Sequence, residues 1–178
     1  KDDEVIKMLN KVYTNELMLS HLFYSKKLSK YLIKNRIPII FIYRNIKEIF
    51  ISEINYISNM NKFHKLHKYY KQTNNFNEKF NLCFNGIKSS DFMYEDFYTR
   101  IKKYLKWFYE PNVFSVNFKD LNNSKKTNVV IDDIIKFLIN HNDYVVKKNN
   151  IFKLKDITSH TKTSKYKMKW KDVLNKEQ

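Results

Sequence analysis

Leu28, Tyr31 and Leu32 recur three and four apart within SKKLSKYLIKN, which predicts a helix over residues 25–35. IIFIY, 39–43, has no alternation and is rich in Ile and aromatics. That pattern predicts a strand covered on both faces, as in a parallel sheet. Just beyond it, Ile46, Ile49, Phe50, Ile54 and Ile57 return every three or four positions, so 45–58 reads as an amphipathic helix. Residues 1–13 fit the tail of a helix, and NELMLSH, 15–21, reads as a short strand ending at His21. The stretch 59–93 is polar and aromatic and predicts short helices and loops. A helix follows over about 94–109 and is stopped by Pro111 and Asn112. VFSVNF, 113–118, is a second strong strand, and NSKKT, 123–127, a loop with capping residues. VVIDDIIKFLINH, 129–141, places Ile131, Ile134, Ile135 and Leu138 on one helical face. From 142 onward the chain is basic and weakly patterned. Strands separated by helices predict an α/β domain with a mainly parallel sheet flanked by helices.

Composition narrows this picture. A chain of 178 residues suits one domain, and 43% hydrophobic content with 16% aromatics supplies a core. Basic residues outnumber acidic ones 34 to 18, a net charge of +16. Such an excess invites nucleic acid, a membrane surface or a phosphate-bearing small molecule. The crowding of Lys, Asn and Ile beside a single Gly and two Pro also fits AT-rich coding, so charge alone does not choose a partner. The lone Cys83 excludes an internal disulfide framework and points to a reducing, cytoplasmic setting. The longest apolar run, 37–43, is too short to span a bilayer. Nothing reads as a signal peptide, and the non-Met start at Lys1 suggests an N-terminally incomplete piece.

In open α/β sheets, ligands gather beyond the carboxyl ends of the strands. His21 and Arg44 each end a predicted strand, so the expectation is that both open onto one crevice. Ser52 lies eight positions after Arg44, about 12 Å along the helix axis. A guanidinium reaching back along the helix would let the two share a phosphate. A surface Arg and a solvent-facing Ser fit the same spacing. HKLH, 64–67, sets two His three apart, but no third ligand lies nearby; it reads as a solvated helix face, with no metal expected. Tyr104, Trp107 and Phe108 read as core packing rather than a base-stacking platform. Cys83 reads as a buried small hydrophobe and Trp170 as a packing anchor.

These residues, in this order, resemble the cytosolic sulfotransferases. IPIIFIYRNIKEIFISE is similar to the family's apolar strand, R-N-P-K-D and following Ser. SHLFYSKKL resembles its T-H-L-P element, FNEKFNLCFNG its F-x-E-K-F…G stretch, and DFYTRIKKYLKWFYEPNVFSVNFKDL the helix and strand ending in Y-E-D-L. VVIDDIIKFL resembles the next helix, and KMKWKD a worn G-D-W-K. The resemblance implies a P-loop-like sulfotransferase fold across 1–178. It also implies sulfuryl transfer from 3′-phosphoadenosine 5′-phosphosulfate to a hydroxyl or amine. It makes His21 the general base, Arg44 and Ser52 the 3′-phosphate contacts, and Phe118 the ring beside adenine, in place of a Tyr. The closing R-K-G aligns near Thr163, Ser164 and Lys165, so Lys162 or Lys165 would supply its charge from a basic flap over 142–178. The family's phosphosulfate loop lies upstream of T-H-L-P and is not found in 1–20. Leu19 replaces a Lys, and Ile46 the Pro. The alternative is a basic, non-catalytic relative that binds nucleic acid or another polyanion. The tail TKTSKYKMKWK, 161–171, with its interleaved Lys and aromatics, suits either reading.

Overall fold

The computed structural model describes residues 2–13, 16–73, 75–90 and 92–141. The expectations placed on 142–178, including Lys162, Lys165 and Trp170, lie outside the described residues. In chain order the elements are α1 (Asp2–Leu9), α2 (Lys26–Lys34), β1 (Ile39–Tyr43) and α3 (Ile46–Asn55), then a π-helical turn (Tyr56–Met60). Next come α4 (His67–Lys71), α5 (Phe76–Asn85), β2 (Ile87–Lys88), β3 (Met93–Tyr94) and α6 (Phe97–Leu105), followed by a 3-10 turn (Lys106–Tyr109). The described part closes with β4 (Val113–Asn117), α7 (Phe118–Leu121) and α8 (Thr127–His141). Described residues within Lys1–Tyr43 and Ile101–Lys148 form one compact unit, and those within Arg44–Arg100 form another.

The first unit is built on β1 and β4, which run parallel in register from Ile39↔Val113 to Tyr43↔Asn117. Because side chains alternate across a strand, Ile39, Phe41 and Val113 share one face. There they pack against buried Leu28 and Leu32 of α2 and against Trp107. Phe108 adds edge contacts to Phe41 and Tyr43 at 4.9 and 5.1 Å. Phe114 points to the opposite face and meets Phe137 of α8 at 5.3 Å. Helices therefore cover both faces of the pair, as a parallel sheet requires. The cover is incomplete, since Ile42 is 51% exposed. The Ser25 hydroxyl caps α2 by accepting from the Leu28 N–H at 3.0 Å.

One expected element is missing from this unit. Residues 16–21 form no strand; among the described residues β1 pairs with β4 instead. Among the described residues, 16–21 pair with no neighbouring strand, and Leu17 and Leu19 stand 71% and 85% exposed. Without a ladder or a buried face, a short apolar run does not hold a strand.

In the second unit Phe50 of α3 is buried among Phe80, Phe84 and Phe97, with centroids at 4.5, 6.2 and 4.7 Å. The helix expected over 45–58 ends at Asn55 and passes into the π turn. β2 and β3 form a short antiparallel pair through Ile87↔Tyr94. Gly86 enters it at φ +73°, and a Cβ there would lie 2.2 Å from the Tyr94 carbonyl oxygen, so only glycine fits.

Candidate functional site

His21 sits exposed in an irregular segment, but the residues after it are firmly held. The Trp107 indole N–H donates to the Leu22 carbonyl at 2.8 Å. The Tyr24 N–H donates to the Lys103 carbonyl at 2.8 Å. Phe23 packs on Tyr104 at 4.9 Å and Tyr24 meets Trp107 edge-on at 5.1 Å. A segment without a ladder must find backbone partners elsewhere, and here the end of α6 and the following turn supply them. Trp107 is buried, and its N–H gives an otherwise apolar body one directional contact. The sequence reading assigned Trp107 to the core, which is correct, but missed that it fixes the chain next to His21.

Arg44 directly follows β1, and Asn45 caps α3 by accepting from the Lys47 N–H at 2.9 Å. The Arg44 Nε donates to the Glu48 carboxylate at 2.8 Å, one turn along the helix. Ser52 lies a further turn on and is exposed. Glu48 and Ser52 thus lie one turn apart on one side of α3, and Arg44, just ahead of the helix, reaches Glu48. With the guanidinium already drawn one turn forward, about 6 Å of axis remains to Ser52. Glu48 is the residue this reading missed, although its spacing from Arg44 is the standard helical ion-pair interval.

The strand that pairs with β1 leads to Phe118, not to His21. Tyr43 and Asn117 are register partners, and Arg44 and Phe118 are the next residue in each chain segment. Asn117 caps α7 through the Lys119 N–H at 2.9 Å, and the Phe118 ring is 39% exposed. His21 and Phe118 belong to the first unit, and Arg44 and Ser52 to the second.

The second unit also holds a partly buried polar cluster that the sequence did not announce. Arg100 donates to the Glu53 carboxylate at 2.6 Å, to the Tyr94 hydroxyl at 2.7 Å and to the Cys83 carbonyl at 3.1 Å. Cys83 and Tyr94 each donate to the other Glu53 oxygen, at 3.2 and 3.1 Å. Burial pushes the Cys83 thiol and the Tyr94 hydroxyl up from their ordinary values, and the neighbouring Glu53 charge adds to it. Burial works against the Arg100 charge, but the Glu53 hydrogen bond and charge outweigh it and raise Arg100. Cys83 is the buried small residue expected of it. The 64–67 pair is not a solvated face. His67 is buried with Nδ1 donating to the Ile57 carbonyl at 2.7 Å, because the chain after the π turn folds its ring inward.

Comparison with known protein families places a sulfotransferase domain over residues 1–178. The chain belongs to the sulfotransferase domain family. Comparisons with curated proteins and with solved structures returned no match. The reaction class of a sulfotransferase domain is sulfuryl transfer, the family's donor is generally 3′-phosphoadenosine 5′-phosphosulfate, and its acceptors are small molecules. The mixed α/β layout, with a parallel pair flanked by helices, suits that assignment. Among the described residues, no helix is long and apolar enough to cross a membrane.

Proposed function

We propose that residues 1–178 act as one sulfotransferase domain that uses 3′-phosphoadenosine 5′-phosphosulfate and sulfates a hydroxyl or amine. The observation that carries this reading is the Arg44–Glu48–Ser52 row, which starts directly behind a strand of the parallel pair. Arg44 supplies charge and a planar donor group to the 3′-phosphate, and Glu48 orients it. The Ser52 hydroxyl donates to the same phosphate. The Phe118 ring packs on the adenine. A guanidinium and a short hydroxyl are donors that fit a 3′-phosphate. When bound, the nucleotide supplies the sulfuryl group and a good leaving group. His21 takes the proton that the acceptor hydroxyl loses, the work for which an imidazole is suited near neutral pH. Lys162 and Lys165, outside the described residues, add positive charge toward the nucleotide. The lone, buried Cys83 suits a reducing, cytoplasmic setting.

Turnover and binding are separable here. In the full-length gene product, His21→Ala is predicted to abolish sulfuryl transfer while leaving affinity for 3′-phosphoadenosine 5′-phosphate within about twofold. Unchanged turnover removes His21 from the mechanism.

A further inference from the structure

The second unit carries a hollow that the transfer reading does not use. Its volume is about 370 Å³, and it is lined by Asn61, Phe63, His64, Lys65, Phe92 and Tyr94. That volume falls in the range of small-ligand sites. One wall is rigid. Tyr69, Phe92 and Tyr94 form a stacked series, with centroids 6.3 Å and 6.1 Å apart. Arg100, paired with Glu53, lies 4.2 Å from the Tyr94 ring centroid and donates to its hydroxyl. The facing loop is different in character. Phe63 is 99% exposed, a whole benzyl group standing in water beside an aromatic wall.

Of the polar groups lining the hollow, Lys65 and His64 present donors, beside the Asn61 amide and the Tyr94 hydroxyl. Lys65 Nζ lies over the Phe92 ring, 5.6 Å from its centroid. The His64 Nδ1 accepts from the Leu66 N–H at 3.1 Å, which fixes the neutral tautomer with its proton on Nε2. Partial burial holds His64 below the ordinary imidazole value, so the neutral ring is the form present near pH 7. Its remaining nitrogen is therefore a hydrogen-bond donor. An aromatic wall, an uncovered Phe and two donors at the rim select a ligand with a π face and a negative edge.

We propose that this hollow binds a small flat aromatic ring bearing an anionic substituent, with the ring against Phe92 and Phe63 and the anion toward Lys65 and His64. The site stands apart from the sulfuryl-donor reading and does not depend on it. The probe is 1-naphthoate, titrated calorimetrically into the full chain. Cyclohexanecarboxylate tests the need for a π face, and 1-naphthalenemethanol the need for charge. Saturable one-site binding of 1-naphthoate is expected, with both controls weaker by about tenfold or more. Phe63→Ala and Lys65→Gln alter exposed side chains, so the fold is retained, and each is expected to weaken 1-naphthoate by about tenfold. Arg44→Ala, which probes the donor reading, is expected to leave 1-naphthoate binding unchanged. Wild-type affinity in both pocket variants, or equal binding of cyclohexanecarboxylate, overturns the site. Loss of 1-naphthoate binding in Arg44→Ala assigns that ligand to the donor contacts and overturns it equally.

Discussion

Trp107 and Arg100 each hold a neighbourhood together through one directional group. The Trp107 N–H is the link between a buried ring and the chain beside His21. Trp107→Phe keeps most of the apolar body and removes that link. Loss of a hydrogen bond to a carbonyl costs about 1 kcal/mol in stability. If His21 depends on it for position, turnover falls by about tenfold while nucleotide affinity stays unchanged, a split that a purely structural role would not give. Arg100 has the opposite balance. Its side chain is 14% exposed and satisfies Glu53, Tyr94 and the Cys83 carbonyl together. Arg100→Ala leaves a buried carboxylate without its cation and is expected to cost about 3–5 kcal/mol, measurable by denaturant unfolding. Cys83 sets a pH dependence. Its thiol is raised in the fold, so at high pH the unfolded chain loses a proton that the folded chain keeps. Stability is therefore expected to fall as pH rises above about 8.5, the ordinary thiol value, and Cys83→Ser or Cys83→Ala should flatten that fall. Residues of this kind were hidden in the sequence. Glu53 and Arg100 lie 47 positions apart, and no local periodicity links them. Glu48 was legible, because four-residue spacing from Arg44 is itself a signal.

The elements divide along the same line. β1, α2 and β4 were readable because each carries a dense apolar period, and the parallel pairing followed from strands separated by helices. The segment ending at His21 was not, because a strand needs a partner and a short run of Leu and Met does not provide one. The strand paired with β1 is β4, and the chain that leaves it begins at Phe118. The Asn-rich composition, which looked like coding bias, serves the elements directly. Asn45, Asn75 and Asn117 cap α3, α5 and α7, each accepting an N–H two residues on. Asn45→Ala is predicted to destabilise by about 1 kcal/mol, and to do so where the candidate phosphate contact begins. Gly86 marks the end of α5. Gly86→Ala faces both a positive φ and a backbone clash and is expected to cost more than about 2 kcal/mol in thermal or denaturant unfolding.

At the scale of the whole molecule, charge and family carry the account. The net charge of +16 favours any anion and so cannot by itself distinguish a nucleotide donor from a polyanion. Membership of the sulfotransferase domain family does make that distinction for the reaction class. The local test of it is Arg44. We expect isothermal titration of 3′-phosphoadenosine 5′-phosphate to give saturable one-site binding, weakened by tenfold or more in Arg44→Ala, since a charge-assisted phosphate contact is worth about 1.5–3 kcal/mol. Equal affinity in the wild type and Arg44→Ala, or binding that follows ionic strength alone without saturating at one site, would contradict the assignment of this domain's nucleotide contact.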